Sequence, residues 1–303
     1  MLAFKGVSKR YGGLVAIDNL SFEISKGSIV GLLGPNGAGK TTTLKLLTGI
    51  SFADEGQILI DNCEVGQNDE FKKKLGYLPE QIPIFSDLSC IEYLSYVASL
   101  KGIYGKKKRQ AIDSVVGKTQ LEDVLIRRSD RLSKGYRQRL ALAAALLGNP
   151  EVLIMDEPMV GLDPQQVYEF RQMVMQLKGL HTVLFSSHVL NEVQNICEQV
   201  LILKKGKLVL EGSVEDLIQV TGLNQKLYVK VKRKGLEVGG LLSDVPGVQV
   251  EQLSDDSLSI RANLSLVSFE DISKAIVDMD AGLLEFSPEV PTLEEVFVHQ
   301  LDS

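Results

Sequence analysis

Ser28-Ile29-Val30-Gly31-Leu32-Leu33-Gly34-Pro35-Asn36-Gly37-Ala38-Gly39-Lys40-Thr41-Thr42 decides the fold. Ser28–Leu33 is a short, mostly apolar run ending at glycine, which suits a strand buried on both faces. From Lys40 onward, Leu44, Leu46, Leu47 and Ile50 mark a helix. Between strand and helix, Gly34–Thr41 fits G-x-x-x-x-G-K-[ST] in full. Glycines let the backbone curl so that successive N–H groups face phosphate oxygens. The helix start adds unpaired donors and a positive partial charge. Lys40 offers a compact cation to β- and γ-phosphates, and Thr41 a hydroxyl to Mg²⁺, with Thr42 completing the set. A Gly-rich turn with an exposed lysine would need no strand before it and no helix after it.

A second apolar run, Val152-Leu153-Ile154-Met155, ends abruptly in Asp156-Glu157. Alone, that pattern reads as a solvated loop. Beside a phosphate loop, Asp156 suits a Mg²⁺ shell, and Glu157 can polarise a water for attack on the γ-phosphate. The two segments together define a nucleoside triphosphatase.

Further buried-strand runs are Ile58–Ile60, Gly76–Pro79, Thr182–Phe185 and Val200–Leu203, with looser alternation at Leu2–Lys5 and Leu20–Ile24. Helical spacing marks Pro164–Leu177, Val189–Cys197 and the run through Leu140, Ala143, Ala144 and Leu147. Ser89 and Glu92 have the spacing of a capping box, opening a helix along Ile91, Leu94, Ala98 and Lys101. Strands alternating with helices predict an α/β, mostly parallel P-loop sheet, with a helical subdomain inserted at about 86–149.

After about Thr221 the pattern changes. Leu227–Val231, Val248–Leu253, Leu258–Ala262 and Leu283–Phe286 read as strands, with a turn at Asp255-Asp256. Val238–Leu242 and the series Phe269, Ile272, Ile276 and Met279 read as helices. The order βαββαβ predicts a small α+β, ferredoxin-like domain at 222–303, after a first domain at 1–221. Thr292 and Glu295 form another capping box, opening a last helix through Phe297 and Leu301.

The 303 residues suit two domains at roughly 150 each, and 44% apolar with 24% charged residues permits ordinary buried cores. A net charge of −6 gives no support to a general nucleic-acid binder. Cys63, Cys90 and Cys197 are scattered without a CxxC pair, which fits a reducing compartment and no zinc site. No secretory leader and no membrane-spanning run of about 18 apolar residues is expected.

Three further segments narrow the class. Leu132-Ser133-Lys134-Gly135-Tyr136-Arg137-Gln138 resembles the ABC signature motif, Gly161-Leu162-Asp163 the D-loop, and His188 in Ser186-Ser187-His188 the switch histidine. Together with the P-loop they resemble the nucleotide-binding subunit of an ABC transporter over about residues 2–220. The resemblance implies ATP and Mg²⁺ as cofactors and a second ATP-binding subunit, in all expectation another copy, facing the first head to tail. It implies that Ser133 and Gly135 of one subunit complete the ATP site on the other, with Asp163 at the same junction. It also implies that His188 approaches the γ-phosphate and Tyr11 stacks on adenine. A separate integral membrane permease would then carry the substrate, and the chain would sit in the cytoplasm on the inner face of the membrane.

Two segments depart from the family pattern. The usual signature Leu-Ser-Gly-Gly-Gln has Lys134 in place of its first glycine and Tyr136 in place of its glutamine. In Gly76-Tyr77-Leu78-Pro79-Glu80-Gln81, Glu80 stands where the metal-sensing glutamine usually lies, with Gln81 next; either offers an oxygen to the metal. Lys106-Lys107-Lys108-Arg109 reads as the solvated start of a helix rather than a lipid contact. Phe85–Leu100 is either core or the surface that meets the membrane subunit.

The C-terminal part resembles the appendage of ABC subunits from gliding-motility, multidrug and sodium-export systems, closing in Pro291–Phe297. It carries no catalytic set, His299 reads as a surface residue, and dimer contact or regulation is its expected role. The leading reading is a transport ATPase. The rivals are a soluble ABC ATPase acting on nucleic acid or ribosomes, and a nucleotide-sensing regulatory subunit. A single P-loop argues against the ribosomal type, and retention of Lys40, Asp156, Glu157 and His188 argues against the regulatory one.

Overall fold

The computed structural model describes residues 1–83, 85–213, 216–217, 225–232, 235–262 and 266–289. They fall into two units, one within Met1–Val214 and one within Glu215–Ser303.

In the first unit, β1 (Leu2–Tyr11) and β2 (Leu14–Ile24) are joined by Gly12-Gly13. So short a link forces antiparallel pairing. With β4 (Glu55–Ile60) and β5 (Cys63–Glu64) they make a four-stranded sheet in the order β2-β1-β4-β5. Sequence reading did not separate these strands from the parallel sheet; every pairing among them is antiparallel, and none of them pairs with a strand of that sheet.

The second sheet is built from the apolar runs. They are β3 (Ile29–Leu33), β6 (Leu75–Leu78), β7 (Val152–Asp156), β8 (Thr182–Ser187), β9 (Gln199–Lys204) and β10 (Lys207–Ser213). Their order is β10-β9-β3-β8-β7-β6, parallel except for β10 at the edge. All residues of β3, β7 and β8 are buried, which explains their lack of alternation. One core joins Phe4, Phe22 and Ile58 of the antiparallel sheet to Val30, Leu32 and Leu184 of the parallel one. Leu44 and Leu47 of α1 (Lys40–Leu47) belong to the same core.

A short α2 (Glu70–Lys73) precedes β6. The inserted block contains α3 (Cys90–Leu100), α4 (Gly105–Thr119) and α5 (Lys134–Leu146). The capping box at α3 is present: the Ser89 N–H donates to Glu92 Oε2 at 2.8 Å. Ile91 is only half-buried, while Tyr93 joins Leu94 and Ala98 in the core. α6 (Pro164–Met175) and α7 (Leu190–Gln194) complete this unit, α7 being shorter than the apolar spacing suggests. Among the described residues no helix is long and apolar enough to cross a membrane.

The second unit runs β11 (Gln225–Val231), α8 (Gly235–Ser243), β12 (Val248–Ser254), β13 (Ser257–Ala262), α9 (Phe269–Asp278) and β14 (Leu283–Glu289). Its sheet order is β12-β13-β11-β14, all antiparallel, so the first strand lies between the third and the fourth. Leu227, Val229, Val231, Val238, Leu258, Ile260, Ile272 and Ile276 form its core. The Thr292/Glu295 capping box, the Pro291–Phe297 segment and His299 lie outside the described residues.

Candidate functional site

Parallel strands place the residues that follow them along one edge, where α/β proteins bind ligands. Here β3 leads to Gly34–Lys40, β8 to His188, β7 ends in Asp156 before Glu157, and β6 leads to Glu80. A cleft of about 740 Å³ opens there. Pro35, Asn36, Gly37, Gly39, Lys40, Thr41 and Thr42 line it, with Glu80, Glu157 and His188 across. That volume lies within the 300–1,000 Å³ common for small-molecule sites.

The loop owes its shape to backbone that side chains would block. Gly39 has φ 110° at the start of α1, and a Cβ there would lie 2.7 Å from Ile17 Cδ1. A Cβ on Gly34 would lie 2.6 Å from the Leu203 carbonyl oxygen and 2.8 Å from Ala38 Cβ. Ala38 itself is buried; its N–H donates to the Pro35 carbonyl at 3.1 Å and its carbonyl accepts from Gly206 at 2.9 Å. These bonds leave the crest Asn36-Gly37 exposed to the cleft.

Lys40 is only 7% exposed, and its Nζ donates to the Gly34 carbonyl at 2.7 Å and approaches Glu157 Oε1 at 4.0 Å. Burial lowers its pKa from the usual lysine value, opposed by the nearby charges of Glu157 and Asp156. Asp156 is also buried, and burial pushes its carboxyl above the usual range. A hydrogen bond from Ser186 opposes that rise, while Glu80 and Glu157 add to it. Among the described residues Asp156 Oδ2 accepts no hydrogen bond, so its lone pairs are open to a hard cation. Glu157 has φ 47°, a left-handed conformation costing a non-glycine residue roughly 1–2 kcal/mol. Its Oε2 lies 2.9 Å from His188 Nδ1.

Tyr11 lines the same cleft at the end of β1 and is half-exposed, with its hydroxyl 3.3 Å from Ser51 Oγ. Of the two candidates for the metal-sensing position, Glu80 lines the cleft, whereas Gln81 is not among the lining residues. Ser133, Gly135 and Asp163 do not line it either. Ser133 caps α5, accepting from the Tyr136 N–H, and Asp163 caps α6, accepting from Gln166 at 2.9 Å. Gly135 packs so closely on α6 that a Cβ would meet Gln166 Cδ at 2.9 Å. The signature and D-loop segments thus pack on each other, and Ser133, Gly135 and Asp163 do not line the cleft of their own chain.

Residues 17–160 match the family model for ABC transporters. Over 98% of its length the chain is 34% identical to the uncharacterized ABC transporter ATP-binding protein YxlF of Bacillus subtilis (strain 168), covering 98% of that protein. The chain belongs to the ABC transporter ATP-binding proteins. It is also 30% identical, over 99% of its length and 97% of the relative's, to the linearmycin resistance ATP-binding protein LnrL of the same organism. Among solved structures, the dimeric post-hydrolysis state of the ATP-binding cassette MJ0796 bound to ADP and Pi is similar. Its TM-score is 0.63 at 26% identity, over 70% of this chain and 98% of that one. The chain is therefore the ATP-binding subunit of an ABC transporter, and an ATPase.

Sequence reasoning missed several residues of this ABC ATP-binding protein's cleft. Leu14, Val15 and Ala16 follow the β1–β2 turn, and Lys205 sits in the β9–β10 turn at φ 48°. Nothing in the Lys204-Lys205-Gly206-Lys207 sequence points to the cleft. Ser186 was missed as well, because a serine ending an apolar strand has no distinctive spacing.

Proposed function

We propose that this subunit binds ATP with Mg²⁺ in the cleft and hydrolyses it with Glu157 as the base, powering an export system through a separate membrane permease. The observation that carries this reading is the convergence of Lys40, Asp156, Glu157, His188 and Glu80 on one edge of the parallel sheet. Lys40 and the exposed loop crest bind the β- and γ-phosphates. Tyr11 stacks on the adenine ring. Glu157 takes the proton of a water aligned with the γ-phosphate, and His188 holds that carboxylate in place.

Mg²⁺ fits the donors present. Among the described residues no three acidic, His or Cys side chains form a cage, but Mg²⁺ binds through one or two protein oxygens plus phosphate oxygens and water. Asp156 and Thr41 would hold it, with Glu80 beside them and Gln81 the alternative. When bound, the ion neutralises charge on the β- and γ-phosphates.

Two copies face each other head to tail, and Ser133, Gly135 and Asp163 of one complete the site of the other. That none of them lines the cleft of its own chain supports this, as does the dimeric state of MJ0796. Of the multidrug, gliding-motility and sodium-export kinds, the likeness to the linearmycin resistance protein LnrL supports the multidrug one. The unit beyond about Thr221 serves dimer contacts or regulation, and the subunit works at the cytoplasmic face of the membrane.

The test is Glu157→Gln in the full chain. It should keep ATP binding, slow hydrolysis strongly and trap an ATP-bound dimer visible by size-exclusion chromatography. Unchanged turnover overturns the role of Glu157. Co-purification with an integral membrane protein tests the permease.

A further inference from the structure

Asp156 and Glu157 are adjacent in sequence and do different work, so something must fix them separately. Asp156 is the last residue of β7, and its register partner across the parallel sheet is Ser186 of β8. Ser186 is fully buried. Its Oγ donates to Asp156 Oδ1 at 2.7 Å and accepts the Glu157 backbone N–H at 3.0 Å.

We propose that Ser186 is a positioning residue for hydrolysis, one hydroxyl setting both the carboxylate of Asp156 and the backbone that carries Glu157. The inference rests on the roles given above to Asp156 and Glu157.

The geometry leaves the hydroxyl one arrangement. Its single proton goes to the carboxylate, which has none to give. A lone pair then remains for the Glu157 amide. That amide belongs to a residue at φ 47°, where the chain turns sharply out of β7. Without Ser186 Oγ, the N–H loses its partner at a part-buried point, and an unmade bond there is costly. The left-handed turn then has less to hold it, and the carboxylate of Glu157 follows its backbone. The carboxylate of Asp156 becomes free to rotate away from the metal position.

The next residue behaves differently. Ser187 Oγ donates to Glu192 Oε2 at 2.8 Å and accepts the Val189 N–H at 3.0 Å. One serine faces the acids of β7 and the other secures the entry to α7, with His188 immediately after them.

The experiment compares Ser186→Ala, Ser186→Thr and Ser186→Val in the full-length chain. Thr and Val have the same shape and differ in the hydroxyl. Two quantities are read: steady-state ATPase, and Mn²⁺ affinity by electron paramagnetic resonance with a non-hydrolysable ATP analogue bound. Ala and Val should each lower kcat and Mn²⁺ affinity by about 10–100-fold, the usual effect of losing a partner behind a metal ligand. The KM for ATP should move less than about threefold, because the phosphate loop is untouched. Thr should stay near wild type in both. Equal behaviour of Thr and Val overturns the proposal, as does wild-type kcat with wild-type Mn²⁺ affinity in Ser186→Ala. Ala adds no atoms to the buried site and decides the matter if the larger pair does not fold. Glu157→Gln serves as control: if it traps the dimer while Ser186→Ala is wild type, only this inference fails.

Discussion

Glu157 Oε2 and His188 Nδ1 lie 2.9 Å apart, joining the ends of two neighbouring parallel strands, β7 and β8. The glutamate side chain is 13% exposed and the histidine 53%, so the acid is sheltered and its partner faces the cleft. A ring nitrogen at that distance fixes the carboxylate before ATP arrives.

His188→Ala should therefore lower kcat by about 10²–10³-fold, at the lower part of the range for general base catalysis. If the two act as one unit, Glu157→Gln with His188→Ala should be no slower than the slower single variant. Steady-state ATPase of the three variants measures this. Multiplying losses in the double variant would count against a shared role.

The phosphate loop offers a comparison between two glycines of similar backbone. Gly37 has φ 80° with no atom within 4 Å of an added Cβ, whereas at Gly39 the Cβ meets Ile17 Cδ1 and, at 3.0 Å, the Ala16 carbonyl oxygen. Gly37→Ala should carry only the left-handed cost of roughly 1–2 kcal/mol. Gly39→Ala adds steric conflict on top and should lower the thermal midpoint further, with ATP-analogue affinity falling in both. Equal melting temperatures for the two variants would show that Ile17 and Ala16 yield freely.

Lys40 supplies another prediction. Its ammonium is held between the Gly34 carbonyl at 2.7 Å and the Glu157 carboxylate at 4.0 Å, already aimed along the loop. A hydrogen bond to a charged group contributes roughly 1.5–3 kcal/mol, so Lys40→Ala should weaken ATP binding about 10- to 150-fold. Titration with a fluorescent ATP analogue reads it out, and unchanged affinity would remove Lys40 from the phosphate site.

The sequence made much of this legible, for identifiable reasons. The phosphate loop was visible because glycine spacing and a lysine at a helix start have few other uses. β7 and β8 were visible because burial on both faces removes polar residues from a run. The separate antiparallel sheet was not, since β1 and β4 are distant in the chain, pairing from Leu2↔Ile60 to Ser8↔Glu55, and alternation carries no address. Gln81 could not be told from Glu80, because one residue of loop path decides which faces the cleft. Ser186 was hidden for a similar reason: its role comes from the register Asp156↔Ser186, which only pairing creates.

The last prediction concerns stability and a different histidine. His181 is 2% exposed just before β8, with Nδ1 2.6 Å from the Pro150 carbonyl oxygen and Nε2 buried without a partner among the described residues. Facing a carbonyl, Nδ1 carries a proton, so Nε2 is the atom that gains or loses one on titration. Burial lowers its pKa below the usual 6.5, with the Pro150 bond opposing. The sign follows: below about pH 6.5 the unfolded chain takes up a proton that the folded chain refuses. The stabilisation is complete above that pH and is lost as pH falls through the lowered folded value. Its slope cannot exceed about 1.4 kcal/mol per pH unit for one proton. His181→Asn keeps a donor near Pro150 and removes the titration. Urea unfolding of both proteins between pH 5 and 8 should give a steeper acid-side decline for wild type. Parallel curves would mean that the folded protein protonates His181 as easily as the unfolded one.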